Sequence, residues 1–276
     1  MIVCKIAKKN IGFITASKKF MELRLAKYIV SEEALFISKT TVTKKIDIPN
    51  EEYLLQKTEF YDLYLIDENY IQIQKSLGKV VGRIDYNMHE SNIYILAGEN
   101  VYNLEYLLTE YVIVYFLSNV LQITLMHGSS IFYKKSAIIF SAASGTGKST
   151  HTKLWLKNTL AVHINDDKNL ILRDGNELFL CGNPWSGKHF LDNNITAPLR
   201  AVVYIERNET NKIEKIDELE SLKRLLGQVV RPNGLYPKKN WNKITNKIIE
   251  IPSFVLKCNM DDEACFVAKK ALDKIL

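Results

Sequence analysis

The sequence predicts an α/β protein in two parts, a β-rich module over residues 1–102 and an α/β domain over residues 103–276. Three observations carry that prediction. Short β-branched and aromatic runs separated by polar turns fill the first hundred residues. A long segment of helical apolar period begins at Asn103. After it, strand-like and helix-like segments alternate, the pattern that builds α/β sheets.

Taken in order, residues 1–6, 34–37, 41–46, 70–74 and 92–96 read as strands, and residues 23–30 as a helix. These residues hold no carboxylate pair with a base and no glycine-rich loop, so the module is expected to dock or to bind a partner. Leu104, Leu107, Leu108, Tyr111, Val112 and Tyr115 then recur at helical spacing. Val114, Phe116 and Leu117 make that segment apolar nearly all round, as in a central helix bridging the two parts. The most apolar stretch, residues 111–126, is broken by Ser118, Asn119, Gln122 and Thr124. It falls short of the ~20 apolar residues that span a bilayer and reads as buried helix. Strands follow at 129–133, 137–141, 161–164, 170–173, 178–181 and 201–205, with a helix over 149–158. Ala264, Val267, Ala268, Ala271, Leu272 and Ile275 give a last helix its apolar face. Asp261, Asp262 and Glu263 lie at its N-terminus, where the helix dipole favours acids.

Composition narrows the function classes. Hydrophobic residues are 47% and charged residues 25%, ordinary for a folded globular chain. Twelve Gly and six Pro exclude a collagen-like or low-complexity chain. The net charge of +6 is spread along the sequence, whereas nucleic-acid binders gather cations on one face. Nucleic acid and membrane are therefore not expected partners, and an anionic small ligand is. Cys4, Cys181, Cys258 and Cys265 form no CxxC pair, and the five His show no zinc-ligand spacing. Scattered thiols suit a reducing compartment, and the N-terminal MIVCKIAKKN lacks the apolar core and cleavage site of a signal peptide. A cytoplasmic location is expected.

The chemistry concentrates in residues 137–150, AIIFSAASGTGKST: an apolar strand, a loop of small residues, then a helix. That is the setting of a phosphate-binding loop. Gly145 and Gly147 permit backbone angles other residues resist, so the N–H groups of Ser144, Gly145, Thr146, Gly147, Lys148, Ser149 and Thr150 can cradle phosphate. The helix N-terminus adds to that field. Lys148 is placed to bridge β- and γ-phosphates, and the Ser149 hydroxyl to ligate Mg²⁺. The general pattern GxxxxGK[ST] has Gly where this chain has Ala142, another small residue. Eighteen residues after Lys148, at the end of an apolar run, stand Asp166 and Asp167. Paired carboxylates at a strand end can divide metal binding from proton acceptance.

Together these residues resemble the nucleotide site shared by HPr kinase/phosphorylase and ATP-dependent phosphoenolpyruvate carboxykinase, which combines an S-G-x-G-K-[ST] loop with a double Asp on the next strand. His127-Gly128 resembles the His-Gly before the loop strand of HPr kinases. The pattern is most similar to stand-alone HPr kinase-like proteins with SGTGKSTHTxLW and a downstream Pro-Trp-Ser-Gly-Lys, a circle that includes lasso-peptide precursor kinases. Here those stretches are residues 144–155 and 184–188. The resemblance covers residues 126–174 well and implies a P-loop kinase domain of the HPr kinase/phosphoenolpyruvate carboxykinase type. It also implies ATP and Mg²⁺ as cofactors and a homo-oligomer. Carried over, Lys148 is the phosphate-binding lysine, Ser149 and Asp167 the metal ligands and Asp166 the proton acceptor. The HPr-binding signature, the carboxykinase metal-binding His and Lys and its oxaloacetate-binding Arg have no clear match, so neither HPr nor oxaloacetate is the expected substrate.

Two further elements are candidates. Gly182-Asn-Pro-Trp-Ser-Gly-Lys-His189 reads as a rigid loop that either presents Lys188 to the transferred phosphate or an anionic acceptor, or packs Trp185 on the core. His127 can orient a carboxylate or sense the γ-phosphate, or it is a hydrogen-bonded core residue. His151 can face the nucleotide or merely the solvent, and Arg200 and Arg231 are candidate charge-stabilising arginines. Lys238, Lys239, Lys243 and Lys247 read as a solvated helix face. The expected function is Mg²⁺–ATP-dependent transfer of the γ-phosphoryl to a hydroxyl, foremost a serine of a peptide or small protein. The alternatives are a kinase of a free small molecule such as an amino acid, and a non-catalytic nucleotide-dependent peptide-binding module.

Overall fold

The structure, a computed structural model, describes residues 1–187, 190–230 and 238–276, with side chains given outside 230 and 238–243. The chain forms two compact units, Met1–Asn119 and Val120–Leu276.

The first unit is built on eight strands: β1 (Ile2–Ile6), β2 (Lys9–Ile14), β3 (Phe36–Thr43), β4 (Leu54–Lys57), β5 (Tyr61–Ile66), β6 (Asn69–Ser76), β7 (Lys79–Tyr86) and β8 (Glu90–Leu96). Their order is β1-β2-β3-β8-β7-β6-β5-β4, parallel at β2–β3 and β3–β8 and antiparallel elsewhere. The helix expected over 23–30 is met only in part, by a π-helical turn that ends at Leu25 and a 3₁₀ turn that ends at Tyr28. A one-turn helix α1 (Lys18–Phe20) leads into Met21–Leu25 and Ala26–Tyr28, whose Phe20, Leu25 and Tyr28 are fully buried.

Helix α2 (Val101–Val120) belongs to this unit, which moves the boundary from the expected 102/103 to 119/120. The reason is packing. Phe116 meets Phe36 at 4.5 Å, and Tyr115 meets Tyr70 and Tyr86 edge-on at 5.6 and 5.0 Å. Buried Glu105 accepts the backbone N–H groups of Ala16 and Ser17. Nor does the helix run to residue 126. It ends at Val120, and Gln122–His127 is a strand, β9, which β-branched Ile123 and Thr124 favour.

The second unit continues with β10 (Ser129–Tyr133), β11 (Ser136–Ser141), α3 (Lys148–Asn158), β12 (Val162–Asn165), β13 (Lys168–Asp174), β14 (Glu177–Cys181) and β15 (Thr196–Arg207). After these come β16 (Lys212–Lys215), α4 (Glu218–Leu226), β17 (Val229–Val230), α5 (Lys238–Ile249), β18 (Ser253–Cys258) and α6 (Asp262–Leu272). The sheet order is β12-β10-β11-β15-β14-β13-β9-β17, with β18 joining β15 to β16. β15 runs parallel to β11 and β18; the remaining pairs are antiparallel.

Alternation along β11 divides the core. Ile138 and Phe140 pack with Trp155 of α3 and Ala264, Ala268 and Leu272 of α6. Ala137 and Ile139 join Leu225 of α4 and Ile244 and Ile248 of α5. Helices thus cover both faces of a mixed sheet, the α/β arrangement expected of this half. Among the described residues no helix is long and apolar enough to cross a membrane.

Candidate active site

β11 delivers the chain to residues 142–147, and α3 begins at Lys148. The turn depends on Gly145 and Gly147, at φ +77° and +124°. A Cβ at Gly147 would lie 2.7 Å from Met260 Cε, the flexible end of an exposed side chain, so the backbone angle is the stronger demand for glycine there. Lys148 is buried and folds inward, its Nζ donating to the carbonyls of Ala142 (2.9 Å) and Ala143 (3.2 Å). The Thr146 N–H reaches the same Ala143 carbonyl at 3.3 Å. Two donors of the loop therefore converge on one oxygen. Burial lowers the Lys148 pKa, opposed by the charge of Asp167. Ser149 is half-buried and Thr150 exposed in the first turn of α3, where N–H groups have no partner within the helix.

Sheet register brings the acidic pair to this end of the unit. β9 and β13 are antiparallel with His127 opposite Lys168, which places Asp167 beside the imidazole. His127 Nε2 lies 3.0 Å from Asp167 Oδ1. That hydrogen bond holds the Asp167 pKa below the ordinary carboxylate range; burial opposes it, while Lys168 and Lys148 reinforce it. Asn165 organises the turn, its Oδ1 accepting the N–H groups of Asp167 and Lys168 at 2.9 Å each. The His127 carbonyl accepts the Ser141 hydroxyl at 2.8 Å, tying the end of β9 to the root of the loop.

Asp166 is buried, and the Gly187 N–H donates to its Oδ1 at 2.5 Å. The loop that follows β14 therefore does reach the acidic pair. Trp185 is fully buried, as the core-packing reading expects. Buried Asn183 fixes the loop by donating to the Lys168 carbonyl (2.8 Å) and accepting from Asn165 Nδ2 through its own carbonyl (3.1 Å). Lys188, His189 and Arg231 lie outside the described residues.

Other candidates go elsewhere. Arg200 pairs with Glu177 at 2.9 Å. His151 is core and does not face solvent: it is buried, its Nε2 accepts from Trp155 Nε1 at 3.1 Å, its ring packs edge-on against Phe140, and burial lowers its pKa to about 4. Its unfolded-state pKa is near 6.5, so between pH 6.5 and 4 the unfolded chain binds the extra proton and stability falls with pH. Chemical denaturation is expected to show His151→Gln losing about 3 kcal/mol less than wild type across that window.

A cavity of about 550 Å³ opens beside the loop, lined by residues 141–146 and by Tyr204, Glu206, Arg207, Arg224 and Gln228. Sequence reasoning missed Arg207, which binds the loop from the end of β15, and Arg224, which lies between Glu206 (2.8 Å) and Glu220 (2.7 Å). Nothing in local sequence sets these residues apart: the path of β15 through the sheet brings Arg207 to the loop, and α4 carries Arg224 to the cavity wall. Among the described residues no group of three or more His, Cys, Asp or Glu is placed to hold a metal by itself.

No protein-family model matches the chain, and no curated protein matches it. Among solved structures it is similar to the Hpr(Ser) kinase/phosphatase from Coxiella burnetii over 54% of this chain and 93% of that one, at 9% identity and a TM-score of 0.31.

Proposed function

We propose that the chain is a Mg²⁺–ATP-dependent phosphotransferase that moves the γ-phosphoryl group to a hydroxyl, foremost a serine of a peptide or small protein. One observation carries the reading: Asp167, held ionised by His127, stands within electrostatic reach of Lys148 while Asp166 lies beside it under Gly187. The motif resemblance of residues 126–174 supports the same chemistry.

The donor set fits the cofactors. The loop's inward lysine and amide suit phosphate oxygens, and the Ser149 hydroxyl with the Asp167 carboxylate offers hard oxygen ligands. Mg²⁺ takes only one or two protein carboxylates when phosphates complete its shell, so a dedicated protein cage is not required. When bound, Mg²⁺ offsets the negative charge of the β- and γ-phosphates. Lys148 adds its charge on the same groups, and His127 keeps Asp167 oriented and deprotonated. Asp166 accepts the hydroxyl proton as the acceptor oxygen bonds to γ-phosphorus and the β–γ bridging bond breaks, releasing ADP. Lys188 is assigned the role of a cation for the transferred phosphate or an anionic acceptor. Transfer of label from γ-labelled ATP to serine-containing peptides tests the reading. Transfer that needs Mg²⁺ and Asp166 supports it, and bound ATP with no transfer to any hydroxyl overturns it.

A further inference from the structure

We propose that Arg207 is a positioning residue of the loop: its guanidinium fixes two loop carbonyls so that the N–H groups of the same peptide units face the phosphates. The proposal rests on reading residues 142–149 as a phosphate-binding loop.

Arg207 is the last residue of β15 and is rooted in the sheet. Its register partner is Cys258 on β18, and three residues earlier Tyr204 pairs with Ser141, where β11 enters the loop. The chain beyond it is knitted down. The Asn208 N–H donates to the Cys258 carbonyl at 3.0 Å, and the Asn259 N–H to Asn211 Oδ1 at 3.0 Å. From this base the guanidinium spans about sixty residues of sequence. Nε donates to the Thr146 carbonyl at 3.1 Å, and Nη2 donates to the Gly145 carbonyl.

A trans peptide unit is planar, with its C=O and N–H on opposite edges. The unit that presents the Gly145 carbonyl carries the Thr146 N–H, and the unit that presents the Thr146 carbonyl carries the Gly147 N–H. Arg207 on the carbonyl edges therefore sets the direction of both amides. In the free protein the Thr146 N–H points to the Ala143 carbonyl, the acceptor it shares with Lys148 Nζ, so this amide and the lysine are gathered on one oxygen that a phosphate oxygen would replace. Glycines at φ +77° and +124° border these units, and glycine's freedom lets an unheld unit rotate and turn its oxygen toward the anion. A planar fork of fixed donors can hold two carbonyls at once, which an ammonium on a flexible stem does not do. Holding them in the free protein removes an ordering cost from binding.

The test measures affinity for Mg²⁺–ATP and Mg²⁺–ADP by calorimetry on the full chain, for wild type, Arg207→Ala, Arg207→Lys and Lys148→Ala, with melting temperatures recorded without nucleotide. Arg207→Ala is expected to lose about tenfold in affinity for both nucleotides alike. Its melting temperature is expected to stay close to wild type, and its KM for ATP to change by a larger factor than its turnover at saturating ATP. Arg207→Lys keeps the charge without the fork and is expected to lose a smaller factor, again for both nucleotides. Wild-type affinity in either arginine variant overturns the proposal. So does a loss confined to ATP or to turnover, which would place the guanidinium on the γ-phosphate itself. Binding lost in Lys148→Ala but kept in Arg207→Ala removes the role of Arg207 alone. A wild type that binds neither nucleotide removes the phosphate-loop reading with it.

Discussion

Asp166→Asn is expected to lower phosphoryl transfer by about 10²-fold or more while leaving Mg²⁺–ATP affinity close to wild type. The geometry separates the two effects. Asparagine keeps an oxygen where the Gly187 N–H donates at 2.5 Å, so the turn and the 182–187 loop stay in place. The contacts assigned to nucleotide, from Lys148 and the loop amides, are untouched. What disappears is a basic oxygen for the acceptor proton. Asp167→Asn should behave differently, because Asp167 faces Lys148 and His127; there the loss includes Mg²⁺-dependent binding. Steady-state kinetics beside calorimetry reads both variants. Unchanged turnover in Asp166→Asn would remove that residue from the mechanism.

Gly182→Ala is expected to cost about 3 kcal/mol or more, far beyond an ordinary glycine replacement. A Cβ at this position would sit 1.9 Å from the Asn193 carbonyl oxygen and 3.1 Å from the Ile195 nitrogen, so the backbone itself must move. The Gly182 N–H also donates to the Ile195 carbonyl at 2.8 Å. Displacing this strand exit disturbs the buried Asn183 bonds and, through Gly187, the support of Asp166. Gly175→Ala is the control. Its φ is +59° but a Cβ would meet nothing within 4 Å, so only the local conformational penalty of about 1 kcal/mol remains. Urea unfolding compares the two. Equal costs would mean that the close approach at Gly182 does not exist in solution.

Much of the site was legible because its residues are neighbours in sequence. A strand of Ile138, Ile139 and Phe140, two glycines and Lys148-Ser149 specify strand, loop and helix locally, and the helix begins one residue before the expected position. The pair Asp166-Asp167 was legible from its place after an apolar run. What local sequence does not carry is register. The His127–Asp167 contact exists because β9 is a strand lying beside β13, and residues 122–126 read as the end of a helix because their apolar run continues that of α2. Arg207 was overlooked for the same reason: it follows a run of core residues and is set on the loop only by its place in a parallel sheet. In the first unit β2, β4, β5 and β7 were missed, their apolar positions interleaved with Lys, Asp and Gln on a half-exposed sheet. The helix expected from Asn103 was found, ending at Val120, but as a partner of that sheet, since a surface apolar all round does not say which unit will cover it.

The central claim is that residues 142–149 hold the phosphates of a nucleotide, and thermal unfolding of wild type and Lys148→Ala, each with and without Mg²⁺–ATP, tests it most directly. At 100 times its dissociation constant a ligand adds ~2.7 kcal/mol to the native state, a clear rise in melting temperature. The expected result is that rise in wild type and its absence in Lys148→Ala, with the two proteins alike when no nucleotide is present. Wild type melting at the same temperature with and without Mg²⁺–ATP, or a variant stabilised as much as wild type, would contradict the assignment.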